Sequence, residues 1–301
     1  MISFAMFKFL RSTVLLSLLL IISATCKENE STIIPENNNP DPLPDSNEIL
    51  SDIKLISNGE GNTYELINSI LAPNYNVIEA PDCSHEDFGR HIDEVFDTEL
   101  NKNVFRFFIH TTPDNDRCIK FDRQRNEIKS YDKSPDELKG IQNEIVEYSW
   151  KFKLPSDFNS SKKFTHIHQI KAVGGSEDAM PLITLTTREG SPDNLELRYS
   201  ETTSQITLKE VELSPFKGTW VEVVETVVYG EKGIGSYEIE IRNIDSGVRL
   251  FYYSNDDIRM WKTNAEFMRP KWGIYRSLLD ESKLKDENVL FADFSVKELK
   301  K

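Results

Sequence analysis

The chain has 301 residues, with 50 acidic and 36 basic side chains, a formal net charge of −14 and 38% hydrophobic residues. This composition is typical of a globular protein and excludes a fibrous or wholly disordered one. The negative charge also argues against a nucleic-acid-binding protein, because contacts to phosphates need a broad cationic surface. A polyanionic partner would therefore have to bind at a local basic patch.

The first 25 residues have the features of an export signal. Lys8 and Arg11 precede an apolar run that is too short to span a membrane comfortably, and small residues then lead into Cys26. A bacterial lipoprotein signal is cleaved and lipidated at a cysteine in this position. We therefore expect removal of residues 1–25 and a lipid on Cys26 that anchors the protein to the outer membrane, on its surface or periplasmic side. The alternative is an ordinary secretory signal with an incidental cysteine.

Residues 26–50 differ in composition from the rest of the chain. Of these, residues 27–48 are rich in proline, asparagine and acidic residues and have almost nothing apolar to bury, which is typical of a flexible linker. The remaining residues, 51–301, suit one large β-domain better than two small ones. Within this domain, short helices are predicted only near 64–71 and 134–144.

Alternating apolar and polar residues, rich in β-branched and aromatic side chains, recur through the domain and predict a series of strands. The predicted strands are 104–110, 144–154, 164–173, 182–187, 195–200, 219–229, 236–244, 248–254, 272–277 and 289–296. Because the helices are too few to cover a parallel sheet, the strands must pair in two stacked sheets. The predicted fold class is all-β, a concanavalin-like jelly roll whose concave sheet presents a groove for an extended polymer.

Two cysteines remain after the predicted lipidation site, Cys83 and Cys118. An even pair in an exported protein is expected to form a disulfide, with two free thiols as the alternative. Asp114 and Asp116 are weak candidates for structural calcium ligands, although two carboxylates in a turn are usually just a turn. The residues give no other indication of a metal, and no cofactor is expected for the chemistry.

Three strand-like segments concentrate charged and polar side chains where a sheet is predicted. Period-two alternation places on one face of the first segment Arg123, Arg125, Glu127 and Lys129. A solvated edge strand is the alternative explanation for this segment. In the second segment, Thr165, Ile167, Gln169 and Lys171 share one face, and His166, His168 and Ile170 share the other. In the third segment, the aligned residues are Arg269, Lys271, Gly273 and Tyr275, and Gly273 is expected to leave space for a ligand beside the tyrosine.

These segments resemble, in the same order, the signature strands of the family 7 alginate lyases, which read approximately RTELR, QIH and YFKAGxYxQ. The matching stretches are Arg125–Lys129, Gln169–Lys171 and Pro270–Ser277. Lys171 stands at the position of the family histidine, and Arg276 and Ser277 replace the end of the third motif. With these departures, DRQRNEIK, HQIK and RPKWGIYRS look most similar to polysaccharide lyase family 28, the ulvan lyases.

The resemblance implies a lyase that removes the C5 proton of a uronate and expels the O4 substituent. Such an enzyme needs a group to neutralise the carboxylate, for which Arg125, Gln169 and Lys171 are the candidates. Nearby cations favour a tyrosinate, so Tyr275 is the expected base and can also return the proton. His168 is the rival base if the strand register differs by one residue, and His166 is a weaker candidate.

Local charge supports an anionic polysaccharide as the substrate and partner, because residues 259–276 hold five cations and one carboxylate. Further expected substrate-binding residues are Arg123, Glu127, Lys129, Arg198, Arg259, Arg269, Lys271 and Arg276. Glucuronan, alginate or a glycosaminoglycan would use the same machinery as ulvan. A non-catalytic carbohydrate-binding lipoprotein is the strongest rival class, because a groove, a tether and a basic patch would also serve capture. We expect a monomer.

Overall fold

The computed structural model describes residues 48–279 and 281–300. The expected export signal of residues 1–25, the lipidated Cys26 and nearly all of the linker lie outside these residues. Within the described residues, no helix is long and apolar enough to cross a membrane.

The described residues form fifteen strands and one α-helix. In chain order these are β1 (Ile49–Leu55), α1 (Thr63–Leu71), β2 (Ile78–Glu79), β3 (Ile92–Asp97), β4 (Lys102–Ile109), β5 (Arg123–Lys129), β6 (Ile145–Lys153), β7 (Thr165–Val173), β8 (Ile183–Arg188), β9 (Asn194–Tyr199), β10 (Ile206–Glu212), β11 (Trp220–Val228), β12 (Ser236–Asn243), β13 (Arg249–Asn255), β14 (Phe267–Ser277) and β15 (Glu287–Leu299). Short 3₁₀ turns occur at Asp82–Ser84, Asp136–Leu138, Ser214–Phe216 and Glu281–Lys283.

The strands pair into two antiparallel sheets. One sheet has the order β13-β12-β11-β6-β15-β4-β3, with β1 also pairing with β15. The other has the order β10-β9-β8-β7-β14-β5-β2. Strands distant in sequence therefore lie side by side, as in β14, which runs between β7 and β5. The predicted all-β jelly roll of two sheets is confirmed.

The core lies between the two sheets, where the inward side chains of alternating residues meet. Trp150 of β6 and Trp272 of β14 are fully buried, and their ring centroids lie 6.1 Å apart. Helix α1 packs Ile67 and Leu71 into the same core. Apolar burial of this extent is the main force that holds the two sheets together.

The predicted helix near 64–71 is confirmed as α1, but the second predicted helix is wrong. Residues 134–144 contain only the 3₁₀ turn Asp136–Leu138. Gly140 then pairs in both directions with the backbone of Met268 in β14, so the chain is already extended there. This tertiary pairing satisfies the backbone groups that a helix would otherwise use.

Cys83 and Cys118 form the expected disulfide, with their Cα atoms 6.3 Å apart. The bond joins the turn before β3 to the loop before β5. The free-thiol alternative is therefore wrong for this structure.

Gly273 occupies a close approach between β14 and β5. Its φ is +143°, and a Cβ atom placed there would lie 2.1 Å from the carbonyl oxygen of Asn126. The glycine thus allows two backbones to meet, which corrects the expectation that it leaves room for a ligand.

We expect Gly273→Ala to destabilise the fold more than Gly247→Ala. Gly247 also has a positive φ, +68°, but an added Cβ atom would meet nothing within 4 Å. The Gly247 variant should therefore show only the cost of backbone strain, about 1 kcal/mol, and the Gly273 variant should add a steric clash for a total of about 2–3 kcal/mol. Denaturant unfolding of both variants checks this, and equal losses would contradict the close-approach argument.

Candidate active site

A cavity of about 420 Å³ opens on the outer face of the seven-stranded sheet. Its lining comes from β2, β5, β7, β8 and β14 and from nearby loops. The lining residues are Glu79, Arg117, Arg123, Arg125, Phe164, His166, Gln169, Lys171, Ala179, Met180, Pro181, Arg188, Gln205, Arg269, Lys271 and Tyr275. Seven of these are arginine or lysine, and one is a carboxylate. The cavity is therefore suited to a polyanion.

Strands β5 and β14 present these side chains by simple alternation. Tyr275 pairs with Arg125 across the two strands, and Lys271 pairs with Lys129. On the inward side, Gln124 and Trp272 are fully buried. The predicted face of the first segment is thus correct.

Strand β7 departs from alternation. A register shift between His166 and His168 interrupts its pairing with β8, and its pairing with β14 shifts at the same place. A β-bulge of this kind re-aims the side chains on one side of it. As a result His166, Gln169 and Lys171 all line the cavity, although strict alternation would separate His166 from the other two. The predicted grouping of Thr165 and Ile167 with Gln169 is wrong.

Two buried carboxylates lie among the cations of the cavity floor. The carboxylate oxygens of Glu79 form ion pairs with Lys271 Nζ at 2.5 Å, Lys129 Nζ at 2.7 Å and Arg117 Nη1 at 2.8 Å. Burial alone would raise the pKa of Glu79, but Lys271, Arg125 and the neighbouring cations lower it far below its usual range. Glu79 is therefore ionised and holds like charges side by side.

The second carboxylate, Glu127, is fully buried beneath the cavity. Its Oε2 lies 2.5 Å from Arg125 Nη1 and 2.7 Å from Lys271 Nζ, and its Oε1 accepts a hydrogen bond from the side-chain amide of Gln169. Arg125 is further fixed by Asp116, with Nε 3.0 Å from Oδ1. Glu127 was expected to bind substrate, but its burial makes it a positioning residue.

Tyr275 is in contact with two arginines. Arg123 Nη1 donates to the tyrosine hydroxyl at 2.9 Å, and the guanidinium carbon of Arg125 lies 3.7 Å from the ring centroid. Two positive charges thus lie beside the phenol, one at its hydroxyl and one over its ring. His166 lies beside the same ring, with a centroid distance of 5.7 Å.

His166 and Lys171 have shifted pKa values. Burial, reinforced by Arg188 and other cations, lowers the pKa of His166 to about 3, so its ring is neutral near pH 7. Burial and the charge of Lys271 lower the pKa of Lys171 to about 8. The Lys171 ammonium donates to the carbonyls of Asp178 and Ala179 at 2.6 and 3.3 Å. Lys171 therefore titrates close to neutral pH.

Arg269 lies near the start of β14, on the same face as Tyr275, which lies near its end. Its Nη1 donates to the carbonyl of Ser130 at 3.0 Å, while its buried Nε has no hydrogen-bond partner among the described residues. A buried donor without a partner is costly unless a ligand accepts from it. Arg269 is thus well placed to bind an anionic group in the cavity.

His168 does not reach the cavity, which corrects its assignment as a rival base. It points into the sandwich core, where its ring centroid lies 4.3 Å from that of Trp150. Its Nε2 lies 2.9 Å from a carboxylate oxygen of Glu225, on the other sheet. The bulge in β7 places His166 in the cavity instead.

Two expected substrate-binding arginines also lie elsewhere. Arg276 is fully buried on the inward face of β14 and donates to Gln124 and to the carbonyl of Lys285. Arg259 is outside the lining and pairs with Glu231 at 2.7 Å and Glu177 at 3.3 Å. Neither contributes to the cavity.

Lys129 and Arg198 lie near the cavity without being in its lining. Lys129 is held by Glu79, and Arg198 pairs with Glu196 and lies 3.3 Å from Gln205. Both can extend the cationic surface beyond the cavity. The two suggested calcium ligands are separated: Asp116 pairs with Arg117 and Arg125, while Asp114 contacts three histidines.

Sequence reasoning missed Glu79, Arg117, Phe164, Arg188 and Gln205 as site residues. Glu79 belongs to a two-residue strand, too short for an alternation signal, and Arg117 lies in a loop. Arg188 ends β8, one residue beyond the predicted strand 182–187, and extending the alternation of that strand by one residue would have indicated its outward direction.

The sandwich fold thus carries, on one sheet face, a cavity lined mainly by cations. A sequence profile described as polysaccharide lyase matches residues 96–294, and the chain belongs to that family. The structure is similar to an endo-β-1,4-glucuronan lyase from the fungus Trichoderma reesei, with 15% identity, a TM-score of 0.51, and coverage of 68% of this chain and 86% of that one. It is also similar to the PL-14 alginate lyase from Aplysia kurodai, with 12% identity, a TM-score of 0.54, and coverage of 83% and 98%. No curated protein sequence matches this chain.

We expect Glu79→Gln to destabilise the protein by about 3–5 kcal/mol at neutral pH, because it removes the buried negative charge shared by Lys271, Lys129 and Arg117 and leaves Lys129 with no other carboxylate partner among the described residues. The folded-state pKa of Glu79 is depressed, so its stabilisation is full above the unfolded value of about 4.3 and is lost as the pH falls below it. The difference in melting temperature between wild type and variant should therefore shrink on acidification. Glu65→Gln is the control, because Glu65 forms an exposed pair with Arg90 and should change little at any pH. A difference that is constant with pH would contradict this role of Glu79.

Proposed function

We propose that this polysaccharide lyase cleaves a uronate-containing polysaccharide by β-elimination, with ulvan as the preferred substrate. The observation that carries the proposal is the position of Tyr275, whose hydroxyl faces a cationic cavity and accepts from Arg123. A binding protein needs the cations but has no need of a tyrosine held in this way. Membership of the polysaccharide lyase family supports a catalytic role.

In the proposed reaction, cationic groups neutralise the uronate carboxylate and so stabilise the enolate-like charge that forms when C5 loses its proton. Arg269, Lys171 and Gln169 line the cavity at positions suited to this task. Arg125 is held from below by Glu127 and Asp116 and contributes its charge to the ring of Tyr275. No cofactor is required for this chemistry.

The Tyr275 phenolate removes the C5 proton, and the C5–H electron pair forms the C4–C5 double bond as the C4–O4 bond breaks. The resulting phenol can return its proton to the departing O4 oxygen when both lie on the same side of the sugar ring. The products are a new chain end and a 4,5-unsaturated uronate, so atoms and charge balance without a further reactant. General acid–base catalysis of this kind contributes roughly 10²–10⁴-fold to the rate.

His166 is the second candidate for proton transfer. Its neutral ring lies beside Tyr275, and its buried Nδ1 has no hydrogen-bond partner among the described residues. Neutral imidazole can accept a proton or orient the substrate. His166 therefore takes the role first considered for His168.

The preference for ulvan is supported by the resemblance of residues 122–129, 168–171 and 269–277 to family 28, and by the excess of cations in the cavity. A polymer that carries sulfate beside uronate would use more of these cations than a polymer with carboxylates alone. Glucuronan, alginate and glycosaminoglycans are the alternative substrates. We further propose, from residues 1–26, that the enzyme is tethered to the outer membrane by a lipid on Cys26, and, as a separate proposal, that it acts as a monomer.

The reaction is tested by ultraviolet absorbance of unsaturated uronate ends, with the protein that begins after Cys26 incubated separately with ulvan, glucuronan, alginate and heparin. We expect absorbance to rise with ulvan and Tyr275→Phe to lower kcat by roughly 10²–10⁴-fold. The matched control is Tyr252→Phe, because Tyr252 lies on β13 of the other sheet and bonds to Glu238. A rise on another polymer would correct the substrate. No rise on any polymer, with retention on a polysaccharide gel, would support a binding protein.

The pH dependence of kcat/KM should identify the role of Lys171. If its ammonium binds the substrate carboxylate, kcat/KM should fall as the pH rises through about 8, because Lys171 then loses its charge. Lys171→Arg keeps the charge and should remove that alkaline fall. An increase in kcat/KM through the same range that disappears in the variant would instead make Lys171 the base.

A further inference from the structure

Three histidines and one aspartate converge outside the active-site cavity. Asp114 Oδ1 lies 3.0 Å from His85 Nδ1 and 3.2 Å from His91 Nε2, and Asp114 Oδ2 lies 3.1 Å from His110 Nδ1. Each of the four residues offers one atom that could bind a metal, and these four atoms all lie within 4.8 Å of one another. We call these four residues the histidine cluster.

We propose that the histidine cluster binds one divalent transition-metal ion, with zinc as the preferred ion. Zinc bonds to histidine nitrogen and carboxylate oxygen at about 2.0–2.2 Å in a tetrahedron, which places neighbouring ligand atoms about 3.3 Å apart. Asp114 Oδ1 lies at close to this distance from the nitrogens of His85 and His91, and Oδ2 lies at a similar distance from His110. The four chosen ligand atoms lie within 4.8 Å of one another, so the side chains would have to draw together around the ion.

The surroundings of the cluster also suit a metal. His91 is fully buried, and its Nδ1 lies 2.8 Å from Asp82 Oδ1, while Tyr64 donates to the same carboxylate. A carboxylate on the second nitrogen of a ligating histidine fixes the ring and strengthens it as a ligand. Phe88 covers the cluster, with its ring centroid 4.4 Å from that of His110 and 4.8 Å from that of His91.

The donor set favours zinc over the calcium first considered for Asp114. Calcium takes six to eight oxygen ligands, whereas imidazole suits zinc, copper and nickel. Four protein ligands would fill a tetrahedral site and leave no open position for substrate, which indicates a structural site. His85 and His110 are partly exposed, so an ion can reach the cluster from solvent.

The histidine cluster is close to the active-site cavity in sequence and is joined to strand β5 by hydrogen bonds. Asp114 is two residues before Asp116, whose carboxylate holds Arg117 and Arg125. The amide of Gln124, on the inward face of β5, donates to the carbonyls of His110 and Asp114 at 2.5 and 3.0 Å. A metal on Asp114 would thus stabilise the loop that supports the cavity floor.

The test measures metal content and melting temperature of the protein that begins after Cys26, purified without a histidine tag, stripped with a chelator and then dialysed against zinc. We expect one zinc per chain and a higher melting temperature with zinc than after stripping, because binding to the folded state stabilises it. Cobalt in place of zinc should give the intense visible absorption of a tetrahedral site. Calcium should not compete.

His85→Ala and His110→Ala should each weaken zinc binding by about 100-fold or more, since they remove a ligand where even a second-shell change costs about 10–100-fold. His166→Ala is the control, because His166 lies in the cavity and should leave the metal content unchanged. Wild-type protein that retains no zinc and shows no change in melting temperature would overturn the proposal. So would cluster variants that bind zinc as tightly as wild type. The wild-type measurements need no variant to fold, and none of these readouts depends on lyase activity.

Discussion

The cavity depends on two buried carboxylates that hold several cations together on one sheet face. Arginine and lysine side chains packed closely on neighbouring strands repel one another, and burial further disfavours their charged forms. Glu79 and Glu127 offset both effects for Lys271 and Arg125, and the pKa of Arg125 is raised in consequence despite its burial. The fold can therefore hold several cations close together on the sheet face that carries the cavity.

The cavity contains two kinds of lysine, which differ in the groups that they contact. Lys271 is bonded to two carboxylates, whereas Lys171 is bonded to main-chain carbonyls and has a lowered pKa. A carbonyl supplies a hydrogen bond but no full negative charge, so burial dominates at Lys171. One lysine thus maintains the charge of the site, and the other can respond to pH and to a bound carboxylate.

Much of this arrangement follows from alternation in the sequence. Where alternation assigned a residue wrongly, a physical cause can be identified. The face of β5 and the alignment of Arg269, Lys271 and Tyr275 were predictable because these stretches keep period two. Alternation from Gln169 already places His168 inward, and its assignment as a rival base required a register shift at that residue. The β-bulge lies between His166 and His168, so it turns His166 into the cavity instead, and nothing in the sequence signals that bulge. Arg276 differs from Tyr275 by one position, so alternation places it inward. Arg276 was nevertheless assigned to substrate binding, because it was counted among the cations of residues 259–276.

Strand β5 is an interior strand rather than a solvated edge, although its sequence is very polar, because both of its faces have partners for their polar side chains. It lies between β14 and the two-residue β2, and its outward arginines face the cavity. Its inward Asn126 donates to the carbonyls of His91 and Phe108 at 2.7 and 2.8 Å, and Gln124 does the same for His110 and Asp114. Buried amides are stable where their N–H groups donate to backbone carbonyls. Polar residues on both faces of β5 therefore join the cavity floor to the loops of the histidine cluster.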